Sequence, residues 1–431
     1  MTAPLRIALA GLGTVGAGVV RLLQDNRALV MARAGRPIEV VAVSARNRTK
    51  DRGVDLSAFA WEDDMTALAN RDDVDVVVEL VGGSDGPALT LARTALAGGK
   101  QLVTANKAMI AHHGMELAAL AEQHNAALKY EAAVAGGIPV IKGLGEGAAA
   151  NRIDRVFGIL NGTCNYILSQ MESTGADFGV VLKAAQDLGY AEADPAFDVE
   201  GVDAAHKLAI LAALAFGTAV DFAALDISGI TRIRAADIAQ ADALGHKIRL
   251  VGQAELQTDG RLFQRVAPVL VAKNHPLASV DGPTNAVVAE GNHVGRLLFV
   301  GRGAGDGPTA SAVVADLIDI ARGNVTPAFG VPVGVLGAAA PADAGHRTSR
   351  AYMRFVVADR PGVLAEITAA MRDAGVSIES LIQQGRPEEG GEVLVAIVSH
   401  EGPESAVSAA LALLEGSPSI SEPPLVMRLI G

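Results

Sequence analysis

Over its first third the chain alternates short apolar runs with segments of helical periodicity. Leu5–Ala10, Ile38–Ser44, Val74–Val81 and Gln101–Thr104 read as strands, each a brief apolar block closed by a turn signal. Val15–Leu23 and Pro87–Ala97 carry apolar positions at helical spacing. Strands alternating with helices predict a parallel sheet wound by right-handed crossovers. The middle, roughly 151–292, is less regular. It opens with a strand over Arg155–Leu160, passes through an acidic loop at Tyr190–Asp203, enters a long helix from Val202 and returns to strand at Leu262–Val271. That pattern predicts an α+β unit with an antiparallel sheet. A helix rich in Ala, Val and Leu over Thr309–Arg322 is expected to pack back on the first unit. Gly337–Ser349 is small, polar and turn-rich and reads as a linker. Beyond it come a strand (Tyr352–Ala358), a helix (Gly362–Ala374), two strands (Val376–Gln383, Glu392–Ser399), a helix (Glu404–Leu414) and a strand (Leu425–Ile430). This βαββαβ order is ferredoxin-like.

Composition narrows the class. With 431 residues the chain has room for two to four domains. Aromatics make up only 3%, so the cores must be Ala, Val, Leu and Ile, which suits parallel strands buried on both faces. A net charge of -12 argues against a nucleic-acid partner, because phosphate binding needs a dense basic surface. Cys164 is the only cysteine, which excludes an internal disulfide and fits a reducing compartment. Leu208–Val220, the longest apolar stretch, is too short to cross a bilayer of about 30 Å. Met1–Ala10 reads as a strand and lacks the layout of a signal peptide. A cytoplasmic protein without a membrane partner is expected.

Gly11-Leu12-Gly13-Thr14-Val15-Gly16 follows a strand and opens a helix, the context a dinucleotide fingerprint requires. Gly11 would make the tight turn, Gly13 would admit a pyrophosphate, and Gly16 would let helix and strand pack closely. Thr14 and Val15 open the helix whose free N–H groups face that phosphate. At the end of the second strand, where an acidic residue would select NAD, stands Ser44-Ala45-Arg46-Asn47-Arg48. Arg46 and Arg48 suit a 2′-phosphate, so NADP(H) is favoured over NAD(H); otherwise they are solvated surface charge. The expected fold is therefore α/β. A Rossmann-type nucleotide-binding domain spans 1–140, with 305–336 packing on it, and an α+β domain spans 141–304. A linker at 337–349 leads to a ferredoxin-like domain at 350–431.

The densest chemistry lies in GYAEADPAFDVEGVDAAHK, Gly189 to Lys207. Glu192, Asp194, Asp198, Glu200 and Asp203 precede one lysine. Asp203 and Lys207 are four apart on a predicted helix and share a face. A lysine among acids can give and take a proton once burial tunes it, and carboxylates can hold a substrate ammonium. The bland alternative is a solvated acidic loop. Lys107 follows a strand of the nucleotide domain, at the carboxyl end where ligands bind in such sheets, unless it is a surface lysine. The Gly-rich turn from Glu131 to Pro139 is either a plain turn or a place where carbonyls converge with Glu131 on a hard cation. His112, His113 and His206 lack metal spacing and receive no role. Cys164 is either a nucleophile or a small buried apolar residue.

These segments resemble the homoserine dehydrogenase family over nearly the whole chain. The resemblance rests on GLGTVG, TANKA at Thr104–Ala108, EAAVAGGIPVI from Glu131, GILNGTCNYIL from Gly158, LGYAEADPAFDVEGVDAAHKLAIL, and GRGAGDGPTASAVVADL from Gly301. The acidic stretch ending in DAAHK is the most specific. The resemblance implies that Lys207 is the general acid/base and Lys107 its partner. It places Glu192 and Asp203 on the amino acid, Asp198 in support, and Gly162 and Thr163 on the pocket wall. Thr104, Gly189 and Gly305 would approach the cofactor together with Lys107. Glu131 and the backbone oxygens of Val134, Gly136 and Ile138 would hold a monovalent cation, usually sodium. The implied reaction is NADPH-dependent, reversible reduction of L-aspartate 4-semialdehyde to L-homoserine in threonine, methionine and isoleucine biosynthesis, by a homodimer or tetramer. The tail resembles an ACT domain, with Asp359 and Gly362 in its ligand loop, which implies feedback inhibition by L-threonine. No kinase-sized segment precedes the fingerprint. Two other readings stay open: a non-catalytic amino-acid sensor on this scaffold, and an aspartate-semialdehyde dehydrogenase with Cys164 as nucleophile.

Overall fold

In the computed structural model, which describes residues 3–384 and 392–430, two sheets carry the chain. The first has six parallel strands. Leu5–Ala10 lies at its centre, flanked by Ile38–Ser44 and Ala60–Trp61 on one side and by Val76–Glu79, Gln101–Thr104 and Leu128–Lys129 on the other. This 3-2-1-4-5-6 order is that of a doubly wound dinucleotide fold. Val76–Glu79 is shorter than the apolar run predicts. The Glu79 carboxylate accepts the N–H groups of Val81 and Gly82 at 2.7 and 3.0 Å, so these residues leave the ladder and turn. The helix Asp306–Ala321 packs beside Thr14–Asp25, and its Ala310, Val313 and Leu317 are buried among Leu9, Val19 and Val78. It starts earlier than predicted because Gly305 caps it and Pro308 is tolerated in its first turn.

The second sheet has ten strands and joins two domains edge to edge. Its first half holds Ile153–Ile159, His246–Leu256, Leu262–Ala272, Thr284–Gly291 and Gly295–Arg302, with the short strand Asp226–Ile227 paired to Leu262–Ala272 off the main path. Leu262–Ala272 then pairs in parallel with the last strand, Leu425–Ile430, and the sheet continues through Ala351–Ala358, Glu392–Ser399 and Ile378–Gln384. These four strands and the helices Val363–Asp373 and Glu404–Leu413 form the expected βαββαβ unit. A buried ion pair strengthens the seam. Asp237, fully buried in the helix Ala235–Ala243, binds Arg354 and accepts the Tyr352 hydroxyl at 2.8 Å. The segment 337–349 joins the two parts as a docked strap. Ala219 N–H donates to the Gly337 carbonyl, Leu262 N–H to that of Ala340, and Thr348–Ser349 pairs with Gly402–Pro403. Sheet-edge backbone groups near the strap needed partners, and its own backbone supplies them.

The helix Val202–Phe216 sets the position of the site. It is buried on nearly every face, against strands Ile153–Ile159 and His246–Leu256 on one side and the helix Lys107–Gln123 on the other. It therefore lies at the junction of the two sheets. Among the described residues no helix is long and apolar enough to cross a membrane.

Candidate active site

The cofactor end is built by the fingerprint loop. Gly11 adopts φ +99, and a Cβ there would sit 2.8 Å from the Leu80 carbonyl oxygen. A Cβ on Gly16 would sit 2.1 Å from the Gly11 oxygen, so both positions exclude side chains. Gly13 has the opposite surroundings, since a Cβ there would meet nothing within 4 Å. Gly13 also caps the helix Thr14–Asp25 without a side-chain bond, leaving first-turn N–H groups free toward open space. Those features fit a pyrophosphate. Arg46 is exposed beyond the second strand. Arg52, which sequence reasoning missed, donates from Nε to the Leu12 carbonyl at 2.9 Å and lies with Arg48 against Trp61. Its only signal was a place in a basic run. Thr104 is buried and donates to Glu79 Oε2 at 2.6 Å, while its own oxygen accepts Asn106 N–H. Gly189 and Gly305 take φ +77 and +117.

The catalytic end converges on Asp203. Lys107 Nζ lies 2.7 Å from Asp203 Oδ1, and Lys207 Nζ lies 2.7 Å from Oδ2. Lys207 also donates to the Leu160 carbonyl at 2.7 Å. Asn161 Nδ2 donates to both Asp203 Oδ2 and Asp198 Oδ1, at 2.8 and 2.7 Å. Asn161 is the second residue that sequence reasoning missed. It occupies the N-cap of the helix Gly162–Thr174, with Oδ1 accepting the Cys164 N–H, and a cap-type residue before that helix was the available clue. Gly162 and Thr163 form the helix's first turn, and the Thr163 hydroxyl donates to the Tyr190 carbonyl at 3.0 Å. Glu192 is not drawn into this cluster; it stands exposed at the rim.

Electrostatics separate the two lysines. Burial lowers the pKa of Lys207 and Lys107 adds to the effect, so it falls below its ordinary value although Asp203 opposes. Burial also acts on Lys107, but Asp203, with Asp198 and Glu192 behind it, outweighs burial and holds its pKa above the usual value. Asp203 is the counterpart. Burial opposes its charge, yet Lys207 and Lys107 keep it well below the carboxylate range. Asp198 is raised by burial and by Asp203. Two like groups pushed in opposite directions divide the work: one yields a proton and the other stays charged. The Cys164 thiol is fully buried, donates to the Asp198 carbonyl at 3.1 Å and is pushed far up by burial, the reverse of an activated nucleophile.

The Glu131 carboxylate is braced within its own turn: its two oxygens accept the N–H groups of Ile141 and Lys142 at 2.9 Å each. Burial and Asp316 raise its pKa to about 7. The turn's carbonyls remain. Ala135 and Gly136 both take left-handed backbone, at φ +55 and +48. Among the described residues the Val134 and Gly136 carbonyls accept no hydrogen bond, whereas that of Ile138 accepts Val140 N–H. No group of three or more His, Cys, Asp or Glu suited to a metal occurs among the described residues. At the far end, Asp359 and Gly362 lie exposed at the start of the helix Val363–Asp373.

A dinucleotide-type sheet closing on a lysine–aspartate–lysine group, with Asp203 and Lys207 buried and Lys107 half-buried, defines a nicotinamide-dependent dehydrogenase. Family models for "Homoserine dehydrogenase", for "Homoserine dehydrogenase, NAD binding domain" and for "ACT domain" match residues 139–318, 11–131 and 351–415. The homoserine dehydrogenase of Neisseria gonorrhoeae is 43% identical over 99% of this chain and 98% of its own. The crystal structure of a homoserine dehydrogenase from Thiobacillus denitrificans superposes with a TM-score of 0.91 at 40% identity, over 99% of this chain and 98% of that one. A hyperthermophilic archaeal homoserine dehydrogenase in complex with NADPH matches 74% of this chain and 97% of its own, at 25% identity and a TM-score of 0.62. The chain belongs to the homoserine dehydrogenase family and carries a C-terminal ACT domain. Membership in the homoserine dehydrogenase family in particular displaces the sensor and aspartate-semialdehyde dehydrogenase readings.

Proposed function

We propose that the chain reduces L-aspartate 4-semialdehyde to L-homoserine with NADPH, reversibly, in the cytoplasm. The reading rests on Asp203 held between two ammonium groups at 2.7 Å each. When bound, the reduced nicotinamide supplies hydride to the aldehyde carbon. Lys207 gives the carbonyl oxygen its proton as charge develops there, burial having weakened its hold on that proton. Lys107 stays charged and stabilises the same oxygen electrostatically. Glu192 and Asp203, with Asp198 in support, receive the substrate ammonium, and Gly162 and Thr163 line the pocket. Thr104, Gly189 and Gly305 border the cofactor beside the fingerprint loop. The carbonyls of Val134, Gly136 and Ile138 hold a monovalent cation such as sodium, with Glu131 bracing the turn from behind. The product serves threonine, methionine and isoleucine synthesis. Assembly as a homodimer or tetramer is supported by Leu298 and Val300, exposed on the edge strand Gly295–Arg302.

Purified protein is expected to consume NADPH, read by absorbance, only when the semialdehyde is present. Arg46→Ala should raise the KM for NADPH about tenfold, the scale of a lost charge-assisted contact, and leave the KM for NADH unchanged. Equal effects on both cofactors would remove Arg46 from 2′-phosphate recognition.

L-threonine is the proposed inhibitor, bound at the Asp359–Gly362 loop. The welded seam makes truncation near Ser349 a poor test, because it would strip a strand from Leu262–Ala272 and leave Asp237 without Arg354. A point change is cleaner. Gly362 is exposed at φ +98; a Cβ there would meet nothing within 4 Å, so a side chain would strain the backbone and project into the open loop where a ligand would sit. Gly362→Asp is expected to raise the half-inhibitory threonine concentration at least tenfold with uninhibited kcat unchanged. Unaltered sensitivity would move the effector site elsewhere.

A further inference from the structure

One pair of side chains at the junction of the two sheets lies outside the chemistry above. His112 Nε2 and His206 Nε2 stand 3.0 Å apart, joining the helix that begins at Lys107 to the helix that carries Asp203 and Lys207. His206 directly precedes Lys207 and is buried, while His112 is exposed. Phe222 stacks on the His206 ring with centroids 4.4 Å apart and meets His112 edge-on at 4.8 Å. Phe197 lies 5.5 Å from His206 and carries the Lys107 ammonium 5.6 Å above its own ring.

We propose that His112 and His206 are positioning residues, whose shared hydrogen bond fixes the two lysine-bearing helices so that Lys107 and Lys207 face one substrate oxygen. The inference rests on the two-lysine reading of the site. Its physical basis is that one contact between two helices acts as a pivot, whereas two contacts fix both slide and rotation. Lys107–Asp203 is the first contact. His112–His206 is the second, about one to two helical turns further along each helix. Displacement of about 1 Å at a reacting group is enough to cost a large part of the rate.

The bond needs a single proton between the two Nε2 atoms. His206 Nδ1 is buried without a partner, which suits a bare acceptor, so His206 Nε2–H donates and His112 Nε2 accepts. Burial holds His206 neutral, its pKa lowered to about 4, with His112, Lys107 and Lys207 acting the same way and Asp203 opposing. Asp85 and Glu116 face His113, the next residue along the first helix.

The test uses the full-length enzyme and steady-state semialdehyde reduction. His112→Phe, at an exposed position, and His206→Phe, which keeps the stack on Phe222, are each expected to lower kcat about tenfold with the KM for NADPH within two-fold. The double variant should be no slower than the slower single, because one bond is lost in every case. His206→Gln, whose amide Nε2–H can donate in place of the imidazole, should recover most of the loss. Single variants within two-fold of the parent, a double variant slowed by the product of the singles, or a Gln variant as slow as Phe would each overturn the assignment. Lys207→Ala is run alongside. If it too keeps turnover, the two-lysine reading has failed; if it alone loses turnover, only the histidine inference has.

Discussion

Lys207→Ala is expected to lower kcat for semialdehyde reduction by about three orders of magnitude, the scale of a lost general acid that also stabilises an oxyanion. NADPH affinity, read by fluorescence titration, should stay within two-fold, because the fingerprint loop belongs to the other sheet. The fold should survive. Alanine is the better helix former, and Asp203 keeps Lys107 and Asn161 as partners. The Leu160 carbonyl, which loses the Lys207 ammonium, still accepts Asn285 Nδ2 at 3.0 Å. The loss should therefore fall on kcat, without the loss of folded protein that a broken core would cause. It should also stop short of total, because Lys107 remains charged beside the substrate oxygen. Turnover near the parent value would take Lys207 out of the mechanism and leave the lysine pair as a structural bridge.

The parts of this molecule readable from sequence are those whose cause is local. Ile38–Ser44 and Gln101–Thr104 fall where short apolar runs placed them, because a strand of a parallel sheet, buried over its second half in the first case and over nearly all its length in the second, needs little beyond such a run and two turn signals. Asp203 and Lys207 were legible as a pair because four residues on a helix bring side chains together. The Lys107–Asp203 contact was not, since it spans two domains and depends on how the helix Lys107–Gln123 packs on Val202–Phe216. Asn161 was hidden for another reason. An asparagine before a helix reads as a cap, and here the same side chain caps with Oδ1 and clamps two carboxylates with Nδ2. The docking of the ACT domain left no local trace either. Val269–Val271 beside Arg428–Ile430 is three residues of parallel pairing, and the apolar pattern of each strand is explained without it. His112 and His206 look like unrelated histidines until the two helices meet. What sequence conceals here is the register between elements, and the candidate site lies where that register matters.

Asp203→Asn is expected to be nearly as damaging, for a different reason. The carboxylate accepts three donors: Lys107 at Oδ1, and Lys207 and Asn161 at Oδ2. An amide of the same size must turn its NH2 toward one of them, which sets donor against donor whichever way it flips. It also leaves two ammonium groups facing each other without the charge that held them. Breaking a buried pair from one side costs about 3–5 kcal/mol, so a lower melting temperature should accompany the change. Asp203 raises the pKa of both lysines, so its loss lowers both. The reduction needs the lysines protonated, so the alkaline limb of its pH–rate profile should move to lower pH as kcat/KM falls about a hundredfold or more. A second sign follows from the carboxylate itself. Because folding depresses its pKa, its contribution to stability is complete above the unfolded carboxylate value near 4 and fades as pH drops. The variant should lack that part of the acid-side slope in melting temperature. A profile whose alkaline limb stays in place, in an enzyme that still binds NADPH, would show that Asp203 does not set the charge of the lysines, and the division of roles between Lys107 and Lys207 would lose its physical basis.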